Sequence, residues 1–494
     1  MIIWGINAMN HDASIAVVDS ETRNILFAGH AERYSRIKND TELNSDLILN
    51  AKQYGNPDLI VWFENPWGRK VRQVRSGQLD LVLSECLPEK YLERFGITGV
   101  PIKYSNHHAS HAAGGFFTSG FHQAAILVID AIGEMTTASI WEGKNNKLTK
   151  KWSLNYPHSV GLFYSAITAL VGLKPNEEEY ILMGMAAYGT LDTELLEHIS
   201  KVYFKDDEFI TQRFNFHKGI YHDDVLTNYA VTEQGKYNLA AAAQWFATEQ
   251  ITNLMLLAKE LVDSSCLVYS GGVALNCVAN AEVSSLFEKT WIMPNPGDAG
   301  NSLGAVANYL QAPLNWTGPF LGYDIKRPLN ITGILDELET TGICGVATGR
   351  AEFGPRALGN RSLLADPRRS DIKDKVNEIK RRQKFRPFAP AILESFAKDY
   401  FTFPANVTKA SYMQYVVEVK NPSALPAVSH FDGTARVQTV GREAPVLAEI
   451  LTEWFMRTGC PVLLNTSLNI KGEPLVNTEE DAARWEKQYR VKVF

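Results

Sequence analysis

The first third of the chain contains one strand–turn–strand pattern twice. In the first copy, apolar runs at residues 2–6 and 15–19 flank a polar turn that carries Asp12. In the second copy, runs at residues 125–130 and 137–142 flank a loop that carries Asp130 at its start. Apolar runs of this length, separated by short polar segments, predict β-hairpins. Because each hairpin tip carries an acid, the repeat predicts two similar halves whose hairpin tips face each other across one cleft.

The length of the chain predicts more than one domain. The 494 residues are too many for a single hydrophobic core, so we expect two domains. Prolines, glycines and a lack of periodicity mark residues 311–329 as the boundary. Beyond it, residues 342–393 are rich in arginine, lysine and glycine between short apolar strands. We therefore predict an N-terminal domain at residues 1–329 and a second α/β domain at residues 330–494.

Composition narrows the classes of partner. The net charge of −6 argues against strong, sequence-blind binding to nucleic acid, although a local basic groove is compatible with it. No window has the length and hydropathy of a membrane span, and the first residues begin a strand rather than a signal peptide. Five scattered cysteines without a Cys-x-x-Cys pair fit buried thiols in a reducing compartment. We therefore expect a cytoplasmic protein with no membrane partner.

Two histidines, His107 and His111, are spaced to bind a metal ion. Residues four apart lie on one face of a helix, so both imidazoles point the same way, while His108 projects off this face. An isolated pair of this kind is more often two hydrogen-bonded histidines than a metal site. The metal interpretation gains weight because Asp130 and Asp298 lie in glycine-containing loops after apolar strands. Two histidines and two carboxylates suit Fe(II), Mn(II) or Zn(II) with positions open for substrate.

The first hairpin turn holds a second candidate, the pair His11 and Asp12. A histidine at the edge of a cleft can act as a general base, because its ordinary pKa lies near neutrality. The alternative is a turn stabilised by the side chains of Asn10 and Asp12. The residues alone do not separate these interpretations.

Three further segments have the composition of ligand-binding loops. The first is the strand that ends at Gly271 and Gly272 and leads to Asn276, where glycines let backbone amides approach an anion or a polar ring edge. The second, residues 349–362, contains three arginines among glycines, which suits an anion pocket better than a solvated basic face. The third is a strand that ends in Asn465 and Ser467, where an ordinary turn is the alternative.

Over nearly its whole length the chain resembles the O-carbamoyltransferases of the nodulation and antibiotic-tailoring type. The segments that carry the resemblance are residues 5–19, 106–112, 156–189, 270–276, 295–304, 350–368, 385–390, 432–440 and 464–469. The resemblance implies a fold with two parts. These are an N-terminal, duplicated TsaD-like domain of the actin-like ATPase superfamily and a C-terminal YrdC-like α/β domain.

The resemblance also implies an activity. The C-terminal domain of such an enzyme converts carbamoyl phosphate and ATP to carbamoyladenylate, and the N-terminal domain transfers the carbamoyl group to an acceptor hydroxyl. Fe(2+) is the expected metal, and Mg(2+) is compatible with the use of ATP. The acceptor is a small molecule such as a sugar or natural product, or a hydroxymethylated pyrimidine of DNA, and a homodimer is compatible with these partners.

Motif matching assigns expected roles to individual residues. His11, paired with Asp12, is the expected base on the acceptor hydroxyl, and Gly271, Gly272 and Asn276 match the adenosine-binding segment. The expected metal ligands are His107, His111, Asp130 and Asp298. The second site is expected at Arg350, Arg356, Arg386, Asn465 and Ser467.

The chain departs from the family pattern at three places, and two other functions remain as alternatives. Ile181 stands where the family commonly has a lysine, Ala131 replaces a glycine after Asp130, and the C-terminal residues 485–494 are short and unfamiliar. A tRNA threonylcarbamoyl transferase would share the N-terminal domain but not the arginine-rich segment at residues 349–356. A non-catalytic, nucleotide-gated binding module would not require the histidine, aspartate and arginine motifs.

Overall fold

A computed structural model describes residues 1–75, 77–84, 86–204, 216–383 and 388–494. The fold is mixed α/β. The N-terminal part contains two five-stranded sheets. The first has the strand order β3-β2-β1-β4-β5 and is built from β1 (Ile2–Asn7), β2 (Ser14–Asp19), β3 (Ile25–His30), β4 (Leu59–Trp62) and β5 (Ile102–Tyr104).

The second sheet repeats the plan of the first. Its order is β10-β9-β6-β7-β8, and it consists of β6 (Gln123–Gly133), β7 (Thr136–Lys144), β8 (Lys147–Asn155), β9 (Cys266–Ser270) and β10 (Lys289–Trp291). In each sheet an antiparallel three-stranded meander is followed by two strands that pair in parallel. Both predicted hairpins, β1–β2 and β6–β7, are therefore present.

The sequence analysis placed Asp130 in the loop of the second hairpin, but in the structure Asp130 lies within strand β6. Strand β6 continues to Gly133, and its pairing with β7 is irregular between Ile129 and Gly133. The turn itself is formed by Glu134 and Met135. Side chains in an irregular stretch of strand do not have to alternate regularly between the two faces of the sheet. Asp130 lies in such a stretch and is therefore positioned by a strand, not by a turn.

Two helices pack between the N-terminal sheets and carry site residues. Helix α6 (His107–Ser119) packs on β6 and β9, and α13 (Asn301–Leu310) packs on β1 and β4. The two helices approach closely because Gly114 and Gly304 face each other, and a Cβ on Gly114 would lie 3.1 Å from the Gly304 Cα. A Cβ on Gly304 would lie 2.1 Å from the Ser110 carbonyl oxygen, which leaves no room for a side chain there. The glycines thus bring the starts of α6 and α13 together.

The remaining N-terminal helices surround these sheets. The predicted helix over residues 160–170 is observed unchanged, and the one predicted from residue 239 begins six residues earlier, at Glu233. The glycine-rich turn after β9 leads into a 3-10 turn (Gly272–Leu275) and then a short helix. The helices are α1 (Glu32–Ser35), α2 (Ser45–Lys52), α3 (Pro66–Arg75), α4 (Leu79–Ser84), α5 (Pro88–Glu93), α7 (Val160–Leu170), α8 (Glu179–Met185), α9 (Thr193–Tyr203), α10 (Asp224–Tyr229), α11 (Glu233–Leu261) and α12 (Cys277–Glu282).

The C-terminal part is built around a third sheet of five strands. Its order is β12-β14-β20-β15-β19, formed by β12 (Ile343–Ala347), β14 (Arg361–Ala365), β15 (Ala389–Leu393), β19 (Gln438–Val440) and β20 (Val462–Ser467). Three short strands pair beside it, β16 (Phe401–Thr402), β17 (Val416–Val419) and β18 (Thr434–Arg436). Its helices are α14 (Ile331–Thr341), α15 (Ile372–Ile379), α16 (Ala397–Tyr400), α17 (Pro445–Thr458) and α18 (Glu479–Tyr489).

The predicted boundary segment contains a strand. Strand β11 (Phe320–Ile325) lies within residues 311–329 and pairs with β13 (Gly349–Glu352). The segment therefore joins the C-terminal part through a sheet contact, and a change of domain at residue 329 remains a prediction. Of the helices in the described ranges, none has both the length and the apolar character that crossing a membrane requires.

Candidate functional site

A cavity of about 780 Å³ extends from the N-terminal part into the C-terminal part. It collects most of the residues singled out from the sequence, namely His11, Asp12, Asp130, Gly272, Asn276, Asp298, Arg356, Asn465 and Ser467. Arg386 falls outside the described residues. His107 and His111 are buried beside the cavity, against Asp130 and Asp298. Segments far apart in the sequence thus line one cavity.

Four side chains form a compact cluster at the N-terminal end of the cavity. The His107 Nε2 atom lies 3.0 Å from Asp130 Oδ2 and 3.4 Å from Asp298 Oδ1. The His111 Nε2 atom lies 3.5 Å and 3.4 Å from the same two oxygens. One ligand atom from each residue lies within 4.8 Å of every other. The predicted metal ligands are therefore brought together by α6, β6 and the turn before α13.

The donor set fits a metal ion. Atoms that bind one ion at about 2.1 Å, with bond angles of about 90–110°, lie about 3.0–3.4 Å apart, close to the separations in this cluster. The Asp298 Oδ1 atom is buried, faces both imidazoles and has no hydrogen-bond partner among the described residues. An unpartnered buried carboxylate oxygen is costly in a folded protein unless a cation balances it. Two imidazoles and two carboxylates are ligands that Fe(II), Mn(II) and Zn(II) accept.

Electrostatics couples the cluster tightly. Burial opposes protonation of His107, but Asp298 and Asp130 outweigh it and raise the pKa of His107 well above its ordinary value. Burial also opposes ionisation of Asp130, yet hydrogen bonds from His107 and His111 hold the pKa of Asp130 well below its ordinary value. The carboxylates therefore stay charged. Protons on the imidazoles balance this charge, and a divalent cation would replace them.

The N-terminus of α6 is fastened to the turn of the second hairpin. The Asn106 side chain caps the helix by accepting from the Ala109 amide. The Glu134 carboxylate accepts from the Asn106 side chain at 2.8 Å and from the His107 amide at 3.3 Å. An acidic group is favourable at a helix N-terminus. These bonds hold the histidine-bearing helix against the strand that carries Asp130.

We expect Gly133→Ala to displace His107. A Cβ on Gly133 would lie 2.2 Å from the His107 Cδ2 atom, so the imidazole or the strand must move. Ligand geometry tolerates little displacement, and we expect metal affinity to fall by at least ~10-fold. Titration of the metal-free protein with Zn(2+) measures the change. Gly184→Ala, at a position with nothing within 4 Å of the new Cβ, is the matched control, and equal affinity in the two variants would contradict the expectation.

His108 has a structural role, as expected from its position off the shared face. Its Nδ1 atom lies 2.8 Å from Ser139 Oγ on strand β7. Burial and the neighbouring histidines His107 and His111 lower the pKa of His108 well below its ordinary value, so the ring is neutral. A neutral, buried imidazole that bonds a strand hydroxyl contributes to packing.

His11 is held by acceptors on both ring nitrogens. Its Nδ1 atom lies 3.0 Å from Asp12 Oδ2, and its Nε2 atom lies 2.7 Å from the Asn176 carbonyl oxygen. Burial lowers the pKa of His11, but Asp12 and Asp298 outweigh this and raise it to about 10. A general base needs a free nitrogen lone pair, whereas an oxygen acceptor faces each ring nitrogen here. The turn is held by Asn7, whose Nδ2 donates to the carbonyl oxygens of His11 and Asp12.

The predicted adenosine-binding turn has one glycine that the backbone requires. Gly271 has a φ of +92°, and a Cβ there would lie 2.1 Å from the Ile129 carbonyl oxygen. The Gly272 amide donates to Asp130 Oδ1 at 3.3 Å, which connects this turn to the metal cluster. The Asn276 side chain caps α12 and bonds reciprocally with Gln244. Of these three residues, Gly272 and Asn276 line the cavity.

Arg350 lies away from the cavity, unlike its neighbour in the motif, Arg356. The Arg350 guanidinium donates to the carbonyl oxygens of Leu26 and Leu321 at 2.7 and 2.5 Å and stacks over the Tyr54 ring. Backbone carbonyls satisfy its donors, so in this structure Arg350 ties β13 to β3 and β11. Arg361, the third arginine of the motif, is completely buried and donates to the carbonyl oxygens of Thr348 and Tyr323. The motif thus contains two structural arginines and one that reaches the cavity.

The loop that carries Arg356 is held from two sides. Within the C-terminal part, the buried Glu352 Oε1 accepts from the amides of Leu358, Asn360 and Arg361 at 2.8 to 3.2 Å. From the N-terminal part, the Arg33 guanidinium donates to the Gly354 carbonyl at 2.8 Å. A side chain at position 354 would also collide with the Pro294 carbonyl, 2.6 Å from the added Cβ. The loop therefore rests on the segment that leads to Asp298.

Lys380 is a cavity residue that the sequence analysis did not identify. Only 4 % of it is exposed, and its Nζ atom lies 2.8 Å from Asn469 Oδ1 and 3.1 Å from Ser467 Oγ. The Nζ atom also donates to the backbone carbonyl oxygens of Ser467 and Asn469, at 2.5 and 3.0 Å, but unlike Arg350 this residue lines the cavity. Other basic residues that line the same end are Arg356, Arg382 and Arg436. In the sequence Lys380 is the first of three consecutive basic residues, a pattern typical of a solvent-exposed helix end. Only its burial, seen in the structure, distinguishes Lys380 from its two neighbours.

Comparison with known proteins assigns the chain to a family. The family model described as carbamoyltransferase N-terminus matches residues 68–307, and the one described as carbamoyltransferase C-terminus matches residues 335–494. Nodulation protein NolO of Bradyrhizobium diazoefficiens is 33% identical, over 76% of this chain and 75% of its own length. The 3'-hydroxymethylcephem-O-carbamoyltransferase of Amycolatopsis lactamdurans is 29% identical, over 95% of this chain and 94% of its own length.

Among solved structures, full-length HypF in a phosphate- and nucleotide-bound form matches with a TM-score of 0.38 and 12% identity. That match covers 63% of this chain and 46% of HypF, and a similarity at this level supports no conclusion about ligands. The two family models and the two carbamoyltransferase-family relatives, by contrast, establish the family of this chain. The chain belongs to the carbamoyltransferase family and is an enzyme of the transferase class.

Proposed function

We propose that the protein makes carbamoyladenylate from carbamoyl phosphate and ATP, with water consumed and phosphate and pyrophosphate released. It then transfers the carbamoyl group to an acceptor hydroxyl, and AMP leaves with the hydroxyl proton passing to solvent. The observation that carries the proposal is the single cavity. The part lined by residues 330–494 carries the cations Arg356, Lys380, Arg382 and Arg436, which suit phosphate, and the part lined by N-terminal residues lies against the His–Asp cluster. An activated carbamate hydrolyses in water, so a cavity that both parts share suits its direct transfer.

The basic end is the proposed site of adenylate formation. Lysine and arginine side chains bind phosphate oxygens through charge-assisted hydrogen bonds, which strengthen where water is excluded. Lys380 is already oriented by Ser467 and Asn469, and Arg356 by the loop on Glu352. In this arrangement the cations bind the phosphates of ATP and carbamoyl phosphate, and Asn465, which bonds Gln438 at 2.7 Å, stabilises the strand end beneath them. We assign adenylate formation to residues 330–494.

The cluster end is the proposed site of transfer. His107, His111, Asp130 and Asp298 would hold a divalent ion, Fe(2+) by analogy with the family, which acts as a Lewis acid toward the carbamoyl group. Gly272 directs its amide at Asp130 and fixes that carboxylate. We propose that His11 acts here as an imidazolium, placing positive charge near the carbamoyl oxygen, rather than as the base expected from its motif. Asp12 and the Asn176 carbonyl hold the ring in place.

The charge on His11 has a direct spectroscopic consequence. With a pKa raised to about 10 by Asp12 and Asp298 against the effect of burial, the ring stays protonated between pH 6.5 and about 10, where an ordinary histidine is neutral. In ¹⁵N-histidine NMR spectra of the metal-free protein at pH 8, we expect an imidazolium signal that is present in the parent and lost in His11→Gln. A neutral His11 ring at pH 8 would contradict the imidazolium proposal and would favour His11 as the general base.

The function itself is tested by ATP–pyrophosphate exchange. Protein loaded with Fe(2+) is expected to exchange labelled pyrophosphate into ATP only when carbamoyl phosphate is present. Mass spectrometry of candidate hydroxyl acceptors, from amino sugars to hydroxymethylated pyrimidine nucleosides, would then detect the gain of one carbamoyl group. Absence of carbamoyl-phosphate-dependent exchange in folded, metal-loaded protein would overturn the proposal.

A further inference from the structure

A buried asparagine beside the metal cluster has one amide atom without a partner. Asn301 is the first residue of α13, is completely buried and follows Asp298 by three positions, so both side chains project from one turn. Its Nδ2 atom lies 3.0 Å from His111 Nε2, and its Oδ1 atom has no hydrogen-bond partner among the described residues. A completely buried amide oxygen with no partner is unusual and requires an explanation.

The amide N–H group that faces His111 Nε2 needs a free lone pair on that nitrogen. An imidazole nitrogen that binds a metal ion donates its lone pair to the ion and has none left to accept a hydrogen bond. Once His111 Nε2 binds an ion, the Asn301 N–H group would therefore face an atom that cannot accept it. A rotation of the amide by 180° exchanges Oδ1 with Nδ2 at nearly constant volume. The oxygen then takes the position 3.0 Å from His111 Nε2.

We propose that Asn301 is a fifth metal ligand, through Oδ1. The separation of 3.0 Å from His111 Nε2 matches the 3.0 to 3.5 Å between the other ligand atoms. An amide oxygen is a normal ligand for divalent cations and adds no charge to a site that already has two carboxylates. The inference rests on the proposed metal site of this enzyme. Its consequence is that a six-coordinate ion retains one position for exchange with substrate, rather than two.

The test is cobalt binding to the metal-free full-length protein. For Asn301→Leu, which keeps the approximate volume without a donor atom, we expect the Kd for Co(2+), measured by competition with a chelating dye, to rise by ~10–100-fold. The visible absorption of the bound Co(2+) should become more intense, because fewer ligands surround the ion. Asn301→Asp, which restores an oxygen ligand, should return affinity and band intensity to the parental range.

Two controls separate this inference from the proposed function. Ser302→Ala changes the next residue, which is also completely buried and whose Oγ bonds the Ala299 carbonyl, so it should leave both readouts unchanged. Thermal unfolding of the metal-free variants measures any general damage, and Asn301→Ala replaces the leucine variant if that one does not fold. An Asn301→Leu protein with the parental Kd and spectrum overturns the fifth ligand alone. If the parent protein binds no Co(2+), or if the His107→Ala variant binds Co(2+) with the same Kd as the parent, the proposed metal site is overturned as well.

Discussion

His107→Ala protein is expected to keep carbamoyl-phosphate-dependent ATP–pyrophosphate exchange while losing carbamoyl transfer by about a thousandfold or more. His107 Nε2 contacts both carboxylates of the cluster, and its removal leaves the ion with one imidazole. Lewis-acid stabilisation by a metal ion contributes several kcal/mol to such a transition state, and each 1.36 kcal/mol is a factor of about ten in rate. Among the described residues, the polar side-chain partners of His107 are His111, Asp130 and Asp298, all in the cluster, so adenylate formation should continue.

Three measurements check this division. Metal content by mass spectrometry should fall, exchange should stay close to the parental rate, and carbamate product should disappear. His108→Gln is the matched control, because His108 is the neighbouring buried histidine on α6 but faces Ser139 rather than the cluster. Loss of both half-reactions in a well-folded His107→Ala protein would show that the two ends of the cavity do not divide the chemistry.

Lys380→Met should produce the opposite phenotype. The substitution keeps the length of the side chain but removes the charge that lies among Ser467 and Asn469 at the basic end of the cavity. A charge-assisted contact to phosphate in a site shielded from water is worth roughly 3 kcal/mol, so we expect exchange to fall by at least ~100-fold. Binding of Co(2+) at the cluster should remain parental, because no ligand atom comes from this end of the cavity.

Lys375, which lies on α15 about one turn before Lys380, supplies the control for this prediction. Lys375 donates to the Thr341 carbonyl at 2.8 Å and does not line the cavity. Lys375→Met should therefore exchange at the parental rate. Since Lys380 also organises the end of β20, thermal unfolding of both variants must accompany the kinetics. Parental exchange in folded Lys380→Met would remove this residue from the adenylate site, and an equal loss in Lys375→Met would indicate a structural effect of either change.

The local predictions that succeeded share a physical basis. Apolar alternation and helical periodicity depend on neighbouring residues, so the hairpins of the first two sheets, helix α7 and the histidine face of α6 could be predicted. The spacing of His107 and His111 constrains the direction of their side chains as soon as a helix forms. The assignment to the family likewise follows from motifs that are contiguous in the chain.

The predictions that needed correction depend on contacts between distant segments. Arg350 and Arg356 have the same chemistry and lie six residues apart, yet the first is saturated by carbonyls of Leu26 and Leu321. Lys380, which no prediction had singled out, is buried against Ser467 at the end of β20 and against Asn469 beyond it. Burial and the partner on the opposite element, which decide such roles, are properties of packing.

The sequence alone therefore determined the first hairpin of each N-terminal sheet, several helices, the family and the chemical types available at the site. Tertiary structure alone decided that His107 and His111 meet Asp130 on an irregular strand and Asp298 before α13. It also decided that His11 lies between two acceptors and that the Asn301 amide faces His111. The reason is physical. Hydrophobic periodicity is local, whereas charge state and metal ligation depend on which polar groups are excluded from water together, and that is known only when the chain is packed.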